Sequence, residues 1–206
     1  MIDATSLYLI DEYINELDFL VNIYQQDFKN FCCKIDIFCN EAVSKMSKRT
    51  PEQDEEESLP CEPCSIISAF NDKKYIYLSG ILQNIISLWE NQMNDFYLLA
   101  KCKDFNALKD SFQKDNYFKL GKAENFNLYE MRLVGNYLKH GQFGNAEKDL
   151  ISINSKYYNN NGQFGEVRGN YFRSKQLNIS KKDIGYFANL ILAFWKDVKN
   201  NIIQIG

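Results

Sequence analysis

Apolar side chains recur along the N-terminal part of the chain with the spacing of one face of an α-helix. From residue 10 onward they alternate steps of four and three residues: Ile10, Ile14, Leu17, Val21, Tyr24, Phe28, Phe31, Ile35, Phe38 and Ala42. This heptad-like seam predicts a helix over about residues 5–46, roughly 60 Å long at 1.5 Å per residue. A helix of that length buries its stripe only against a partner of comparable length.

A second long stripe predicts that partner over about residues 65–101. Its core face is formed by Phe70, Tyr77, Ile81, Ile85, Leu88, Trp89, Met93, Phe96 and Leu99. The segment between the two helices, about residues 48–63, contains all the prolines and a run of acidic residues. We predict a solvated acidic loop there, with a regulatory acidic segment as the alternative. Because this connector is short, the two helices should form an antiparallel hairpin.

Shorter helices are predicted in the second half of the chain. They cover about residues 106–114, 128–139 and 146–156, and the second of them ends at Gly141, a typical C-cap. A loop containing Gly and Asn is predicted near residues 121–127.

The C-terminal part of the chain ends in one more amphipathic helix. Residues 164–179 alternate loosely between apolar and polar and could form a small hairpin. Ser180 followed by Asp183 resembles a capping box, and the next stripe is Ile184, Phe187, Ile191, Phe194, Val198 and Ile202. The chain is therefore predicted to be a single all-α domain over residues 1–206, a bundle with two long antiparallel helices plus shorter ones.

Composition narrows the class of protein. Of the 206 residues, 45% are hydrophobic and 15% aromatic, which favours one packed globule. The net charge of -3 gives no overall basic field, so any nucleic-acid contact must come from a local patch. No apolar run approaches the ~18 residues of a membrane span, and the first residues lack the basic start of a signal peptide. We therefore expect a cytoplasmic protein without a membrane segment.

The cysteines raise the question of a metal. Without a secretory signal, reduced thiols are the default for all six: Cys32, Cys33, Cys39, Cys61, Cys64 and Cys102. Cys61-Glu-Pro-Cys64 has the spacing of zinc ligands or of a redox pair, but no second pair or histidine lies nearby. The chain also lacks a Gly-rich phosphate loop with Lys-Ser/Thr. We expect no metal and no cofactor.

The chemistry-bearing residues concentrate on the helix predicted over residues 128–139. Helical projection at about 100° per residue places five positions in one arc: Arg132, Gly135, Asn136, Lys139 and His140. The apolar residues fill the opposite side: Met131, Leu133, Val134, Tyr137 and Leu138. His140 is the only histidine of the chain.

This arc combines a titratable imidazole, cations and an amide. Cleavage of RNA without a metal needs a base for the 2′-hydroxyl proton, a role that suits His140, and donors for the phosphate, a role that suits Arg132. Gly135 leaves room for a substrate or for a close helix crossing. The alternative is an ordinary solvent-exposed face, with His140 complementing the helix dipole.

The stretch Arg132-Leu-Val-Gly-Asn-Tyr-Leu-Lys-His140-Gly resembles the signature helix of the HEPN superfamily (higher eukaryotes and prokaryotes nucleotide-binding). Its motif is an arginine, usually followed by a polar residue such as asparagine, then a histidine a few residues later. Asn136 and His140 match this motif. Gly135 replaces the arginine expected before the asparagine, and Arg132 lies three positions earlier than Gly135.

The resemblance implies a helical bundle that often dimerises and, in many members, acts as a metal-independent ribonuclease of toxin–antitoxin or antiphage systems. It implies that His140 acts as base, that Arg132 or Lys139 stabilises phosphate charge, and that Asn136 orients the substrate or the imidazole. We expect an RNA-directed homodimeric effector that acts on RNA or a nucleotide, with a partner protein from the same operon. The alternative, favoured by Gly135, is a non-catalytic scaffold subunit that holds a nucleotide or a partner protein.

A second candidate surface lies near the predicted hairpin. Between residues 167 and 182 there is no acidic residue, and Tyr171 and Phe172 are interleaved with basic ones: Arg168, Arg173, Lys175, Lys181 and Lys182. Basic groups bind phosphates and aromatic rings stack on bases, so this patch is predicted to contact RNA. Simple solubilising charge is the alternative.

Overall fold

Five helices make up the described part of the protein. A computed structural model describes residues 4–47, 63–100, 122–140, 145–158 and 177–205. The helices are α1 (Ala4–Met46), α2 (Pro63–Ala100), α3 (Lys122–His140), α4 (Ala146–Ser152) and α5 (Lys181–Ile205). Within these ranges the only β-type pairing is an isolated antiparallel bridge between Tyr158 and Leu177. The predicted all-α bundle is confirmed.

The two long helices α1 and α2 run antiparallel. Near the start of α1, the backbone carbonyl of Tyr13 accepts a hydrogen bond from Gln92 Nε2 of α2 at 3.3 Å. Farther along α1, the ring of Phe31 stacks on Tyr77 with 4.3 Å between centroids. Rising residue numbers in α1 therefore meet falling numbers in α2, as the predicted hairpin requires.

Helix α5 completes the core by packing against both long helices. Trp195 contacts Tyr13 with 4.9 Å between ring centroids, and its indole Nε1 donates to Gln92 Oε1 at 2.9 Å. Gln92 also donates to Glu16 Oε2 of α1 at 3.1 Å. A buried amide is stable only when its polar atoms are bonded, so Gln92 fixes the mutual register of three helices.

The far ends of α1 and α2 extend beyond α5. No side chain is buried in residues 36–46 of α1 or residues 66–77 of α2, which we call the distal arm. Leu177, just before α5, lies level with Tyr75, whose hydroxyl donates to the Leu177 carbonyl at 3.3 Å. The predicted stripe is therefore buried or half-buried as far as Ile35 but wrong for Phe38, which is 58% exposed.

Several predicted segments differ or fall elsewhere. Helix α3 begins at Lys122 rather than near residue 128. The expected loop is helical from residue 122 because Ala123 and Glu124 favour a helix start, and the acid complements the dipole there. The acidic loop up to residue 62, the helix predicted over 106–114 and the hairpin as far as residue 176 lie outside the described residues. None of the described helices has the length and apolar character that a bilayer span requires.

Candidate functional site

Helix α3 carries all the residues of the predicted site and is anchored by its apolar side. Met131, Leu133, Val134 and Tyr137 are buried, as predicted for the face opposite the polar arc. Burial raises the pKa of the Tyr137 hydroxyl to about 12, with the charge of Glu147 adding to the effect. This packing fixes which way the polar arc faces.

Gly135 does not face a substrate but lies buried against α2. A Cβ built on it would lie 2.6 Å from Ile86 Cγ2, closer than real carbon atoms approach. Of the two alternatives for this glycine, the structure shows the close helix crossing. At the position where the HEPN motif has its arginine, α3 touches α2 and leaves no room for a long side chain.

A carboxylate from α2 holds both cations of the arc. Glu90, one turn beyond Ile86, pairs with Lys139 and also with Arg132, whose Nε lies 3.8 Å from Glu90 Oε1. All three side chains are partly buried, so their mutual attraction is screened less than at a fully exposed site. Arg132 and Lys139 thus lie on the two sides of one carboxylate, where α2 crosses α3.

Nothing in the sequence singled out Glu90. A lone acid on an amphipathic helix usually faces water, and only the crossing of α2 with α3 shows that it faces Arg132 and Lys139. One weak signal could have indicated Glu90: it follows Ile86 by one helical turn and hence lies on the same side of α2.

His140 and Asn136 form the accessible part of the arc. His140 is the last residue of α3 and is exposed, and Asn136 one turn earlier is partly buried. Neither side chain makes a hydrogen bond to any residue that the structure describes. The imidazole and the amide can therefore meet a ligand directly, whereas a ligand must compete with Glu90 for the cations.

Buried Glu130 is a second acid that the sequence analysis missed. Its Oε1 accepts hydrogen bonds from Ser155 Oγ at 2.6 Å and from the Lys156 backbone N–H at 3.2 Å. These two hydrogen bonds hold the turn after α4 against α3, on the side of α3 that also buries Val134 and Tyr137. We assign Glu130 a structural role in positioning α3.

The basic patch is described only in part. Arg168, Arg173 and Lys175 lie outside the described residues, whereas Lys181 and Lys182 are exposed at the start of α5.

The described part of this patch lies away from the arc on α3. The hydroxyl of Tyr75 on α2 donates a hydrogen bond to the carbonyl of Leu177, four residues before Lys181, at 3.3 Å. The chain just before α5 therefore lies near Tyr75, roughly 22 Å along α2 from Glu90 at 1.5 Å per residue. The structure does not combine Lys181 with Lys139 in one site.

No metal centre is evident in the described ranges. Within them, no group of three or more His, Cys, Asp or Glu side chains could hold an ion. Cys61 lies outside those ranges, and Cys64 falls in the first turn of α2. The absence of a metal or cofactor stays a prediction.

Comparison of the chain with family models, with curated proteins and with solved structures gave no match. The resemblance to the HEPN superfamily therefore stays a prediction from the sequence of α3.

Proposed function

We propose that this protein is an RNA-directed effector of HEPN type, of the kind that acts in bacterial antiphage defence or toxin–antitoxin systems. The observation that carries the proposal is the exposed His140 at the end of α3, with Asn136 one turn away and Lys139 beside it. A histidine is the side chain best suited to proton transfer near neutral pH.

The proposed reaction is metal-independent cleavage of RNA. His140 takes the proton of a 2′-hydroxyl, the 2′-oxygen attacks the adjacent phosphorus, and the 5′-oxygen leaves. The products are a 2′,3′-cyclic phosphate and a 5′-hydroxyl end once the leaving oxygen gains a proton. Arg132 and Lys139 neutralise the charge that grows on the phosphate, and Asn136 orients the substrate or the imidazole.

Glu90 sets a condition on this reaction. A phosphate binds a guanidinium in the same forked manner as a carboxylate, so the RNA competes with Glu90 for Arg132 and Lys139. Substrate binding should therefore weaken at high salt, where screening reduces the attraction between RNA and the cluster.

The proposal includes a dimer, because the catalytic groups on one α3 are incomplete. A single helix supplies one imidazole, whereas cleavage uses both a base and an acid. A two-fold dimer with α3 near its symmetry mate supplies the second imidazole. Light scattering at tens of micromolar should give the mass of a dimer, and a strictly monomeric mass would contradict this part.

The test of catalysis compares wild type with His140→Ala on total RNA in the presence of a chelator. Loss of a general base typically lowers the rate by about 10²–10⁴-fold. The fold should persist because His140 is exposed. Lys196→Ala, which removes an exposed charge from α5, is the matched control and should cleave like wild type. Full activity in His140→Ala, or no chelator-resistant cleavage by wild type, would refute catalysis.

A second candidate function is a non-catalytic subunit that uses the same face to hold a nucleotide or a partner protein. The contact of Gly135 with Ile86 favours it, because this contact excludes the family arginine. In that case wild type should cleave nothing, and His140→Ala should weaken only the binding of a labelled nucleotide measured by fluorescence anisotropy.

A further inference from the structure

Two aromatic side chains of α3 remain in solvent while the apolar residues around them are buried. Tyr129 is 46% exposed and Phe126 is 45% exposed, whereas Leu128 and Met131 belong to the core. Single exposed apolar groups are common on protein surfaces, so it is the position of these rings along α3 that matters.

Tyr129 lies in line with the accessible residues of the candidate site. It precedes Asn136 by seven residues and His140 by eleven. At 100° per residue, both positions fall within about 20° of Tyr129 around the helix axis. The three side chains therefore follow one line along α3, with about 10 Å from Tyr129 to Asn136 and about 6 Å more to His140.

The cations flank this line. Arg132, three residues after Tyr129, is displaced from it by about 60° towards α2, where it meets Glu90 with Lys139. An extended strand along α3 could thus place phosphates near Arg132 and Lys139 while a base lies over the Tyr129 ring.

We propose that Tyr129 is a stacking platform for an unpaired base of single-stranded RNA bound along α3. The inference rests on the proposed function and assigns its substrate class. Every base offers a π-face to an aromatic ring, and single strands expose their bases where a duplex does not. Phe126, about one turn towards the N-terminus, offers a ring for a neighbouring base.

The test measures binding of a fluorescently labelled 2′-O-methyl oligoadenylate, which cannot be cleaved because its 2′-oxygen carries no proton. By fluorescence anisotropy, Tyr129→Ala should weaken Kd about fivefold to a hundredfold, the range of one lost base stack. Tyr129→Phe keeps the ring and should bind within about twofold of wild type. Tyr129→Leu keeps apolar bulk without a π-face and should bind as weakly as Tyr129→Ala.

Tyr8 provides the matched control. It is 65% exposed and lies near the start of α1, so Tyr8→Ala should bind like wild type. The same oligoadenylate annealed to a complementary oligouridylate should bind wild type more weakly than the single strand. Tyr129→Ala should reduce this difference in Kd between single strand and duplex.

The outcomes separate this inference from the proposed function. Unchanged Kd in Tyr129→Ala, together with weaker binding by Arg132→Ala, would overturn the stacking role and leave the RNA-directed function standing. Binding that depends on Tyr129, without cleavage that depends on His140, would support stacking and refute catalysis. Loss of a dimer in Tyr129→Ala with unchanged Kd would show that the ring is a subunit contact. No binding by wild type would overturn both proposals.

Discussion

Substitution of Gly135 by alanine tests the helix crossing on which the site is built. The added Cβ would lie 2.6 Å from Ile86 Cγ2, 3.2 Å from its Cδ1 and 3.3 Å from its Cβ. Ile86 is fully buried and has little space to move. Overpacking of this kind costs about 1–3 kcal/mol, and the better helix propensity of alanine returns about 1 kcal/mol. The free energy of unfolding should therefore fall by up to about 2 kcal/mol.

Gly80→Ala is the matched control in this experiment. Gly80 is an exposed glycine of α2, and its added Cβ would have no heavy atom within 4 Å. Only the propensity effect remains there, so Gly80→Ala should raise the free energy of unfolding by about 0.5–1 kcal/mol. Urea unfolding at 25 °C followed by circular dichroism measures both variants, and the two effects should differ by about 1–3 kcal/mol.

A double-mutant cycle with Ile86→Ala identifies the partner. Alone, Ile86→Ala should cost about 2–5 kcal/mol because it leaves a cavity. Combined with Gly135→Ala it should cost less than the sum, by about 0.5–3 kcal/mol, because the new methyl enters the vacated space. Equal stabilisation by both glycine substitutions, or a cycle additive within about 0.5 kcal/mol, would refute the crossing as described.

Two further predictions concern groups that hold α3 in place. Burial raises the pKa of Tyr137 to about 12, above the ~10 of a tyrosine in an unfolded chain. The stabilisation that the buried, protonated hydroxyl gives the folded state is therefore complete below pH 10. It is lost as the pH rises from 10 to 12, where the tyrosine of the unfolded state ionises first. Urea midpoints at pH 9 and 11 should therefore fall less in Tyr137→Phe than in wild type, and an equal fall would contradict the burial of this hydroxyl. Glu130→Ala removes the acceptor of Ser155 Oγ and of the Lys156 N–H, which should cost about 1.5–3 kcal/mol and lower Tm by several degrees. A melting curve unchanged from wild type would show that Glu130 does not hold the turn.

The long helices could be predicted because their signal is local. The alternating seam of α1 and the stripe of α2 depend only on neighbouring positions in the chain, and the structure places both helices within a few residues of the predicted bounds. The start of α5 is equally local, since the Ser180 N–H donates to the Asp183 carboxylate at 2.6 Å as the capping pattern indicated.

The contacts of the site that could not be predicted from the sequence depend on which helices pack against each other. Helical projection placed Gly135 and Arg132 correctly in one arc, but it could not show that α2 covers the Gly135 side of that arc. The pairing of Glu90 with Lys139 needs the same crossing. The prediction that Phe38 belongs to the packed face was wrong for a related reason, because an apolar stripe on one helix does not show where the neighbouring helices end. The catalytic assignment of His140 stays a prediction.

The distal arm gives the two longest helices a gradient of burial, from which we expect a gradient of local stability. Gln92 contacts α1 and α5 from its place on α2, so we expect the amide protons around it to exchange with solvent most slowly. Near Phe38 no side chain of the arm is buried, and openings of α1 and α2 there need not disturb the core. Each of the two helices thus joins a segment without buried side chains to one that the bundle encloses, and we expect the arm to open locally while the crossing of α2 with α3 remains closed.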